Sequence, residues 1–440
     1  MCAFENLISK INKLASPGIV PGLARMSRMM DLLDHPENAF KTIHIAGSNG
    51  KGSVASTLNA VLLESGYHTA LYTSPHLVSF GERLTIAGKP VSAEEWEEKF
   101  DLLEKTIEKD SFLSENMPTF FELTTAVAFM LIREKKVDIA IIETGLGGRL
   151  DATNVMENVE LSVVTSICMD HMEFLGDSLI KIADEKFAIS HEGKHVVYLP
   201  DSVELSNEFK KVMAERKAIA ISADEISSAE LVKIDLTGTT ISYIYKNNKY
   251  VFKTALIGIH QVKNLQLSLT ALMILKEKFN AISAETISNA LLKLQWPCRF
   301  ELVSENPVII FDGAHNPQAM KMLSSTLQQI NLNKKVRIVL AMMHDKDITN
   351  SLNYMAALSP DVYCTEVPDM PRSASADELK GFIENAGMNV SGTYKEPWDA
   401  IRAAVNDEVI TVVCGSLYLL GYIKSKTDFS AMKNGVEKNG

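Results

Sequence analysis

Short apolar runs alternate with longer amphipathic stretches along the first half of the chain. Apolar positions at helical spacing predict helices over residues 53–64, 120–135 and 179–189. Short runs rich in β-branched residues predict strands at residues 42–46, 68–73, 137–143, 161–166 and 196–199. Strands that alternate with helices in this way are typical of an α/β fold with a mostly parallel sheet.

The pattern changes after about residue 230. Alternating polar and apolar positions over 231–255 predict an antiparallel patch with turns at Thr237-Gly238 and Asn247-Asn248, and a helical region follows over 261–294. Trp296-Pro297 breaks this region. A second α/β series then begins, with a helix predicted at 317–330 and strands at 308–311, 336–342 and 409–413. We therefore predict two domains, 1–295 and a smaller, Rossmann-like 296–440.

Composition excludes several classes of function. The 440 residues are 46% hydrophobic and 22% charged, which is normal for a globular protein. The 44 basic and 55 acidic residues give a net charge of −11, so binding to nucleic acid or to an anionic membrane surface is not expected. No run of eighteen apolar residues predicts a membrane span.

The cysteines and the first residues bear on the compartment. The 5 cysteines are odd in number, scattered and never spaced as C-x-x-C, which argues against a disulfide framework or a zinc knuckle. Glu5, Lys10 and Lys13 interrupt the first sixteen residues, and no basic segment leads into an apolar run. We expect a cytoplasmic protein without a secretory signal.

A glycine-rich segment, AGSNGKGS at 46–53, joins a predicted strand to a predicted helix. Small residues at such a junction let backbone N–H groups surround phosphate oxygens, and Lys51 can reach the terminal phosphates of a nucleotide. The strict G-x-x-x-x-G-K-[ST] pattern is not met, because Ile45 replaces the first glycine and the hydroxyl comes one residue late, at Ser53. A plain glycine turn would leave Lys51 without a role, so a P-loop-type site for nucleotide phosphates is the better prediction.

Three polar residues follow strands near this loop and are candidate metal ligands. Ser74 follows the predicted strand at 68–73, Glu143 ends the one at 137–143, and His171 comes shortly after 161–166. A buried carboxylate is costly unless it is paired or bound to metal, which favours a role for Glu143. Ser74 and His171 taken singly could be a turn hydroxyl and a core imidazole. Their common position relative to the phosphate loop favours a site for the metal ion that accompanies a nucleotide.

Together these segments resemble the folylpolyglutamate and dihydrofolate synthases of the Mur ligase superfamily. The resemblance runs in order from about residue 20 to about residue 420. Its segments are GSNGKGS 47–53, YTSPHL 72–77, FGER 80–83, PTFFE 118–122, ETGLGGRLDATN 143–154, DH 170–171, LG 175–176, EK 185–186, GIHQ 258–261, WPCR 296–299, DGAHNP 312–317, DKD 345–347 and GSLY 415–418. Phe187 and Cys298 depart from the family's usual small residues at these positions.

The resemblance implies an ATP-dependent ligase that joins L-glutamate to the γ-carboxylate of a reduced folate through an acyl phosphate, and dihydropteroate is a second possible acceptor. ATP, Mg²⁺, folate and glutamate are the implied ligands, and a monomer is expected. The nucleotide residues it implies are Ser48, Asn49, Gly50, Lys51, Gly52, Ser53, Asn264, Arg299 and Asp312. Ser74, Glu143 and His171 are implied to bind Mg²⁺.

The remaining implied residues concern catalysis and the other substrates. Lys51, Lys186 and His315 are the implied catalytic residues, with Lys186 carried as a carbamate (N6-carboxylysine); spacing alone would make it an ordinary helix lysine. His315 and Ser416 match positions linked to glutamate. Arg83 is a candidate for a substrate carboxylate. Glu122 matches the folate side and could equally be structural.

Two other functions are alternatives to a folate ligase. A peptidoglycan Mur ligase would usually carry a further domain of roughly 100 residues ahead of the phosphate loop, and here the loop begins at Gly47. A P-loop switch protein would leave Glu143, His171 and the second α/β domain without a role. The folate ligase is therefore the leading hypothesis.

Overall fold

The computed structural model describes residues 4–330 and 334–426, and its chain divides into two compact units. Unit 1 comprises the residues up to Ala229 together with Tyr243–Phe252 and Lys263–Leu294. Unit 2 comprises Glu230–Ser242, Lys253–Val262 and the residues from Gln295 onwards. The domain predicted at 1–295 includes Glu230–Ser242 and Lys253–Val262, two stretches that group with unit 2.

Strands and helices alternate through most of the chain. The strands are β1 Thr42–Ala46, β2 Thr69–Tyr72, β3 Leu84–Ile86, β4 Lys89–Pro90, β5 Ile139–Glu143, β6 Val159–Val164, β7 His195–Tyr198, β8 Ile219–Ser222, β9 Ser227–Asp235, β10 Gly238–Tyr245, β11 Asn248–Thr254, β12 Glu301–Glu305, β13 Val308–Phe311, β14 Lys335–Leu340, β15 Asp361–Thr365, β16 Asn389–Tyr394 and β17 Val409–Cys414.

The helices carry the amphipathic stretches. They are α1 Glu5–Leu14, α2 Ala24–Leu32, α3 Lys51–Glu64, α4 Ala93–Ile107, α5 Ser111–Glu115, α6 Phe120–Lys135, α7 Met172–Leu175, α8 Leu179–Phe187, α9 Val203–Glu215, α10 Ala223–Ile226, α11 Gln261–Leu275, α12 Ala284–Lys293, α13 Pro317–Ile330, α14 Ile348–Ala356, α15 Ala376–Asn385, α16 Pro397–Ala404 and α17 Leu417–Lys426. Among the described residues, no helix is long and apolar enough to cross a membrane.

Unit 1 is built on an eight-stranded sheet in the order β4-β3-β2-β5-β1-β6-β7-β8. The strands from β2 to β8 in this order are parallel, while β3 and β4 pair antiparallel at one edge. Every residue of β1 and β5 is buried, because helices cover both faces of the sheet. One core lies between the sheet and helices α1, α2, α4 and α6, and another lies under α8 and α9.

Unit 2 contains a six-stranded sheet in the order β12-β13-β17-β14-β15-β16. The strands are parallel except β12, which pairs antiparallel with β13. Its core packs apolar residues of α13, α14 and α15 against β13, β14 and β17. The predicted fold class, a mostly parallel α/β protein with two such sheets, is therefore confirmed. A further three-stranded sheet, β11-β10-β9, forms where the antiparallel patch was predicted.

Candidate active site

The chemistry-bearing residues of unit 1 lie at the carboxyl ends of four neighbouring strands. In the order β2-β5-β1-β6, β2 leads to Ser74, β5 ends at Glu143, β1 leads into the phosphate loop and β6 leads to His171. The four strands are parallel, so these ends share one edge of the sheet. Ligands of doubly wound sheets bind at this edge.

The phosphate loop, residues 47–53, is held by a neighbouring loop and by α11. Thr165, just after β6, donates its hydroxyl to the carbonyl oxygen of Asn49 at 2.8 Å. Gly50 adopts φ +90°, and a Cβ built on it would lie 2.6 Å from Oδ1 of Asn264. Only glycine permits this close approach, which brings Asn264 against the loop as a nucleotide site requires.

Two lysines bind the same carbonyl group of this loop. Lys51 Nζ donates to Gly47 O at 3.0 Å and to Ser48 O at 3.3 Å, and Lys186 Nζ also donates to Gly47 O at 3.0 Å. Lys186 is 3% exposed. Burial, with a smaller effect of the nearby Lys51 charge, lowers the pKa of Lys186 to about 7. A substantial fraction of Lys186 is therefore a neutral amine near neutral pH, which is the form that can take up CO₂ as a carbamate.

The predicted metal ligands fit a divalent cation only in part. Glu143 is 5% exposed at its strand end, while His171 takes φ +49° and has a side chain that is 41% exposed. Within residues 4–330 and 334–426, no group of three or more His, Cys, Asp or Glu is arranged to hold a metal alone. Ser74, Glu143 and His171 supply two oxygen donors and one nitrogen. Phosphate oxygens of a bound nucleotide would have to complete the coordination.

Arg83 is buried in an aromatic environment. Its side chain Nε donates to Nδ1 of His76 at 2.9 Å, and its guanidinium carbon lies 5.6 Å from the Phe80 ring and 5.4 Å from the Phe120 ring. Burial, assisted by the Arg83 charge, lowers the pKa of His76 to about 4. His76 is therefore neutral and carries its proton on Nε2. Arg83 is 8% exposed, so its orientation is fixed by these contacts.

Glu122 has an evident structural role. Its Oε2 accepts the backbone N–H of Thr119 at 2.7 Å and pairs with Nε of Arg25 at 3.0 Å. Thr119 in turn caps the first turn of α6, so the two residues form a capping box. The residue is 4% exposed, and its Oε1 has no partner among the described residues. Its contact with the folate stays a prediction.

In unit 2, Asp312 organises the turn after β13. Its Oδ2 accepts the N–H of Phe300 at 2.7 Å, and its Oδ1 accepts the N–H of Ala314 at 2.8 Å. Burial raises the pKa of Asp312, and the charge of Arg299 opposes that rise. A Cβ on Gly313 would collide with Nη1 of Arg299, so glycine leaves room for the guanidinium. These contacts place Arg299 and Asp312 side by side.

His315 and Ser416 follow β13 and β17, which are parallel neighbours, so both lie at one edge of the second sheet. His315 Nδ1 is 2.7 Å from Gly313 O. Because a carbonyl only accepts, Nδ1 carries a proton and the lone pair of the neutral ring is on Nε2. Ser416 Oγ accepts the N–H of Tyr418 at 3.0 Å.

The two departures from the family pattern have structural explanations. Cys298 is fully buried and takes φ +57°, a conformation that favours glycine, so its turn keeps the shape that glycine would give. Phe187 packs its ring 5.1 Å from Tyr198 and 5.3 Å from Phe209 in the core under α8. The neighbouring Lys186 still reaches the phosphate loop.

Comparison with known proteins identifies the family. The Mur ligase middle domain matches residues 45–272, and the Mur ligase, glutamate ligase domain matches residues 298–417. The dihydrofolate synthase/folylpolyglutamate synthase of Bacillus subtilis (strain 168) is 34% identical over 431 residues, covering 96% of this chain and 99% of that protein. The chain belongs to the folylpolyglutamate synthase/dihydrofolate synthase family. This confirms the resemblance, and the protein is an ATP-dependent ligase.

Two solved structures share the fold of this ligase over nearly the whole chain. Escherichia coli FolC in complex with DHPP and ADP superposes with a TM-score of 0.84 at 28% identity, covering 96% of this chain and 97% of that one. A bifunctional folylpolyglutamate synthase/dihydrofolate synthase with Mn, AMPPNP and L-glutamate bound gives a TM-score of 0.81 at 28% identity, covering 97% and 98%. The family therefore includes proteins with bound nucleotide and divalent metal.

Sequence reasoning missed the residues that support the ligase's phosphate loop from outside. Thr165 and Ser166 both donate their hydroxyls to Asn49 O, and Cys168 exchanges hydrogen bonds with the Ser48 hydroxyl through its backbone N–H and C=O. These residues lie more than 110 positions away in sequence. These residues follow β6, which lies next to β1 in the sheet. This position was the one sequence feature that could have indicated their contact with the phosphate loop.

Proposed function

We propose that this ligase uses MgATP to form an amide between L-glutamate and the γ-carboxylate of a reduced folate. The observation that carries the proposal is the convergence of the phosphate loop, its two lysines and three candidate metal ligands at one sheet edge. The glutamate, nucleotide and metal named for a protein of the same fold support the choice of substrates.

The chemistry follows from the poor leaving group of a carboxylate. The folate carboxylate oxygen attacks the γ-phosphorus of ATP, giving an acyl phosphate and ADP. The glutamate ammonium first loses a proton, and the resulting amine attacks the acyl carbon. The C–O bond to phosphate then breaks, inorganic phosphate leaves, and the nitrogen loses a second proton to give the amide N–H. Such phosphoryl transfer depends mainly on positioning and on cations around the moving charge. Magnesium, when bound, supplies one of those cations.

The residues of unit 1 have distinct roles in this proposal. Lys51 leaves its loop carbonyls to contact the terminal phosphates of ATP, and Asn264 orients the nucleotide against Gly50 and its neighbours. Ser74, Glu143 and His171 hold the metal. Lys186, as a carbamate, would replace a positive charge with an anion that can orient the metal. Ser48, Asn49, Gly52 and Ser53 line the phosphates through the loop and the first turn of α3.

The remaining residues are proposed to contact the nucleotide, the folate and glutamate. Arg299 and Asp312 are proposed nucleotide contacts. His315 is suited to accept a proton from the glutamate ammonium, because its Nδ1–H is held by Gly313 O and its lone pair is on Nε2. Ser416 is proposed to bind glutamate, and Arg83 and Glu122 to lie on the folate side.

The setting of the enzyme remains part of the proposal. Mg²⁺ as the metal, a cytoplasmic location, a monomeric state and no binding to nucleic acid are predictions from the sequence. The net charge of −11 supports the last of these.

A second acceptor, dihydropteroate, is favoured by the names of relatives. The Bacillus subtilis protein is described as carrying both activities, dihydrofolate synthase and folylpolyglutamate synthase. We therefore propose that this enzyme also joins glutamate to dihydropteroate.

The test is release of ADP by the purified enzyme, measured with each acceptor in the presence and absence of L-glutamate, with mass spectrometry of the products. Turnover that needs both the acceptor and glutamate, with a product one glutamyl unit heavier, supports ligation. Dihydropteroate and a tetrahydrofolate assayed separately decide between one activity and two. ATP turnover that is indifferent to acceptor and glutamate would refute the function, and the Lys51→Ala variant provides the background rate.

A further inference from the structure

We propose that Arg149 and Glu185 are positioning residues that hold Lys186 against the phosphate loop. Together they form what we call the Arg149–Glu185 clamp, which joins the loop at 144–151 to the end of α8. That loop begins directly after Glu143, and Lys186 is the residue after Glu185. The clamp therefore connects a candidate metal ligand to a candidate catalytic lysine.

The end of α8 needs support from outside the helix. Lys186 is the penultimate residue of α8, and the last carbonyl groups of a helix lack donors from within it. Three of these carbonyls accept from the following turn: Asp184 from Ala188, Lys186 from Ile189, and Phe187 from Ser190. The carbonyl of Glu185 instead accepts the backbone N–H of Arg149 at 2.8 Å. The loop thus supplies a bond that the helix cannot make.

The side chains repeat the same contact. Arg149 donates from Nε at 2.9 Å and from Nη2 at 2.8 Å to Oε1 of Glu185. Each residue therefore binds the other through both its backbone and its side chain, which fixes orientation as well as distance. Asn154 adds a brace, because its Nδ2 lies 3.3 Å from both Arg149 O and Ala188 O.

The close approach of the two segments requires Gly148. A Cβ on Gly148 would lie 2.6 Å from Glu185 O and 3.2 Å from Lys186 O. The loop therefore lies directly on the backbone of the residue that carries the ammonium group. A shift of this contact would move Lys186 away from Gly47 O, and a displacement of about 1 Å near reacting groups can cost about 100-fold in rate.

The clamp is poorly explained by stability alone. The Arg149 side chain is 56% exposed and that of Glu185 is 18% exposed. Exposed ion pairs contribute only about 0–1 kcal/mol to folding. Loss of the Arg149 side chain should therefore leave the fold intact. The same change should make the position of Lys186 against the phosphate loop less well fixed.

The first test measures the position of Lys186 directly and does not depend on activity. The wild type and Arg149→Ala are treated briefly with acetic anhydride in CO₂-depleted buffer, and acetylation of Lys186 is quantified by mass spectrometry relative to Lys181. Lys181 lies on the same helix with a side chain that is 63% exposed, so it serves as an internal reference. We expect several-fold more labelling of Lys186 in the variant. Unchanged labelling would overturn the proposal.

The second test is kinetic and rests on the proposed function. Arg149→Ala should lower kcat about tenfold with KM for ATP nearly unchanged, and Arg149→Lys should recover part of the loss. Arg402→Ala removes another surface ion pair, the more exposed one with Asp399, and should change neither quantity. Raised labelling with an unchanged kcat would also overturn the proposal. If the wild type does not ligate glutamate at all, the proposed function fails, while the labelling result still decides whether the clamp positions Lys186.

Discussion

Two lysines that share one carbonyl group differ in how the protein surrounds them. Lys51 is partly exposed at the start of α3, whereas Lys186 is nearly completely buried behind the loop. Burial of a charged amine is unfavourable, and Lys186 responds with a pKa lowered to about 7. The same functional group is therefore suited to two tasks, contact with phosphates at Lys51 and modification of a buried amine at Lys186.

Substitution of Lys51 should separate activity from folding. Lys51→Ala removes two hydrogen bonds to carbonyls of its own loop and no core packing, so the loss of stability should be about 1 kcal/mol or less. Loss of a cation that stabilises transferring charge should lower kcat about 100-fold or more. Steady-state kinetics and urea unfolding measure the two effects, with Lys181→Ala as the control. Activity close to wild type would remove Lys51 from the mechanism.

The lowered pKa of Lys186 predicts a pH dependence of stability. In the unfolded chain this lysine has a pKa near its ordinary value of 10.5, and in the fold the pKa is about 7. Below pH 7 both states hold the proton, so this residue adds no pH dependence there. Between these values the unfolded state binds more protons, so the free energy of unfolding should rise with pH, by up to about 1.4 kcal/mol per unit.

Urea unfolding of the wild type and Lys186→Met in CO₂-depleted buffer tests this sign. The wild type should gain stability relative to the variant as the pH rises from about 7 to about 9. Equal slopes for both proteins would mean that Lys186 keeps its ordinary pKa in the fold.

At the scale of elements, the turn between β1 and α3 depends on glycine for two separate reasons. Gly50 has φ +90° and also leaves no room for a side chain beside Asn264. Gly66, just beyond the other end of α3, has φ +85° with nothing within 4 Å of a built Cβ. The two positions share the backbone strain but differ in the steric contact.

Matched substitutions at these glycines should isolate the contact with Asn264. Gly50→Ala and Gly66→Ala should each lose about 1–2 kcal/mol of stability from the left-handed conformation. Gly50→Ala alone should also weaken ATP binding, by about tenfold or more, because Asn264 and the loop must move apart. Calorimetric titration with a non-hydrolysable ATP analogue measures this. Equal affinities for the two variants would contradict the role of the Asn264 contact.

The elements with continuous apolar or clearly amphipathic sequence were the ones that the sequence predicted best. β1, β13, α6 and α13 have the predicted bounds. The edge strand β16 is not predicted from the sequence because its residues, NVSGTY, are mostly polar and alternately exposed. Its strand conformation depends on pairing with β15 rather than on its own sequence. The helical region at 261–294 is two helices, α11 and α12, with Ser283 capping the second.

The sequence could predict where the candidate residues lie relative to the strands, but not the contacts that join distant segments. The strand-end positions of Ser74, Glu143 and His171 follow from the alternation of strands and helices, since parallel strands end at one edge. The capping role of Glu122 was partly visible, because Thr119 precedes it by three residues. Its ion pair with Arg25 spans 97 positions, and no local pattern indicates such a pair.

At the scale of the whole molecule, the net charge of this ligase has the same sign as the charges of its proposed substrates. The net charge is −11, while ATP, folates and glutamate are all anionic. The proposed substrate-binding cations, Lys51, Arg83 and Arg299, carry only a small positive charge compared with this net negative charge. A divalent cation bound by Glu143 and its neighbours would then be a main source of attraction for ATP. Nucleotide binding should consequently depend strongly on the metal.

Thermal unfolding with and without metal tests this dependence. A ligand present at 100 times its Kd stabilises the folded state by about 2.7 kcal/mol, so MgATP should raise Tm by several degrees. ATP with EDTA should give a much smaller shift, because the phosphates would then approach an acidic protein without the bridging ion. Glu143→Gln should lose most of the metal-dependent part of the shift, while Glu285→Gln, an exposed glutamate in the first turn of α12, should keep it. An equal shift in EDTA would show that the strand-end carboxylate does not recruit ATP through a metal, and the excess of negative charge would then have to be offset by the lysines and arginines alone.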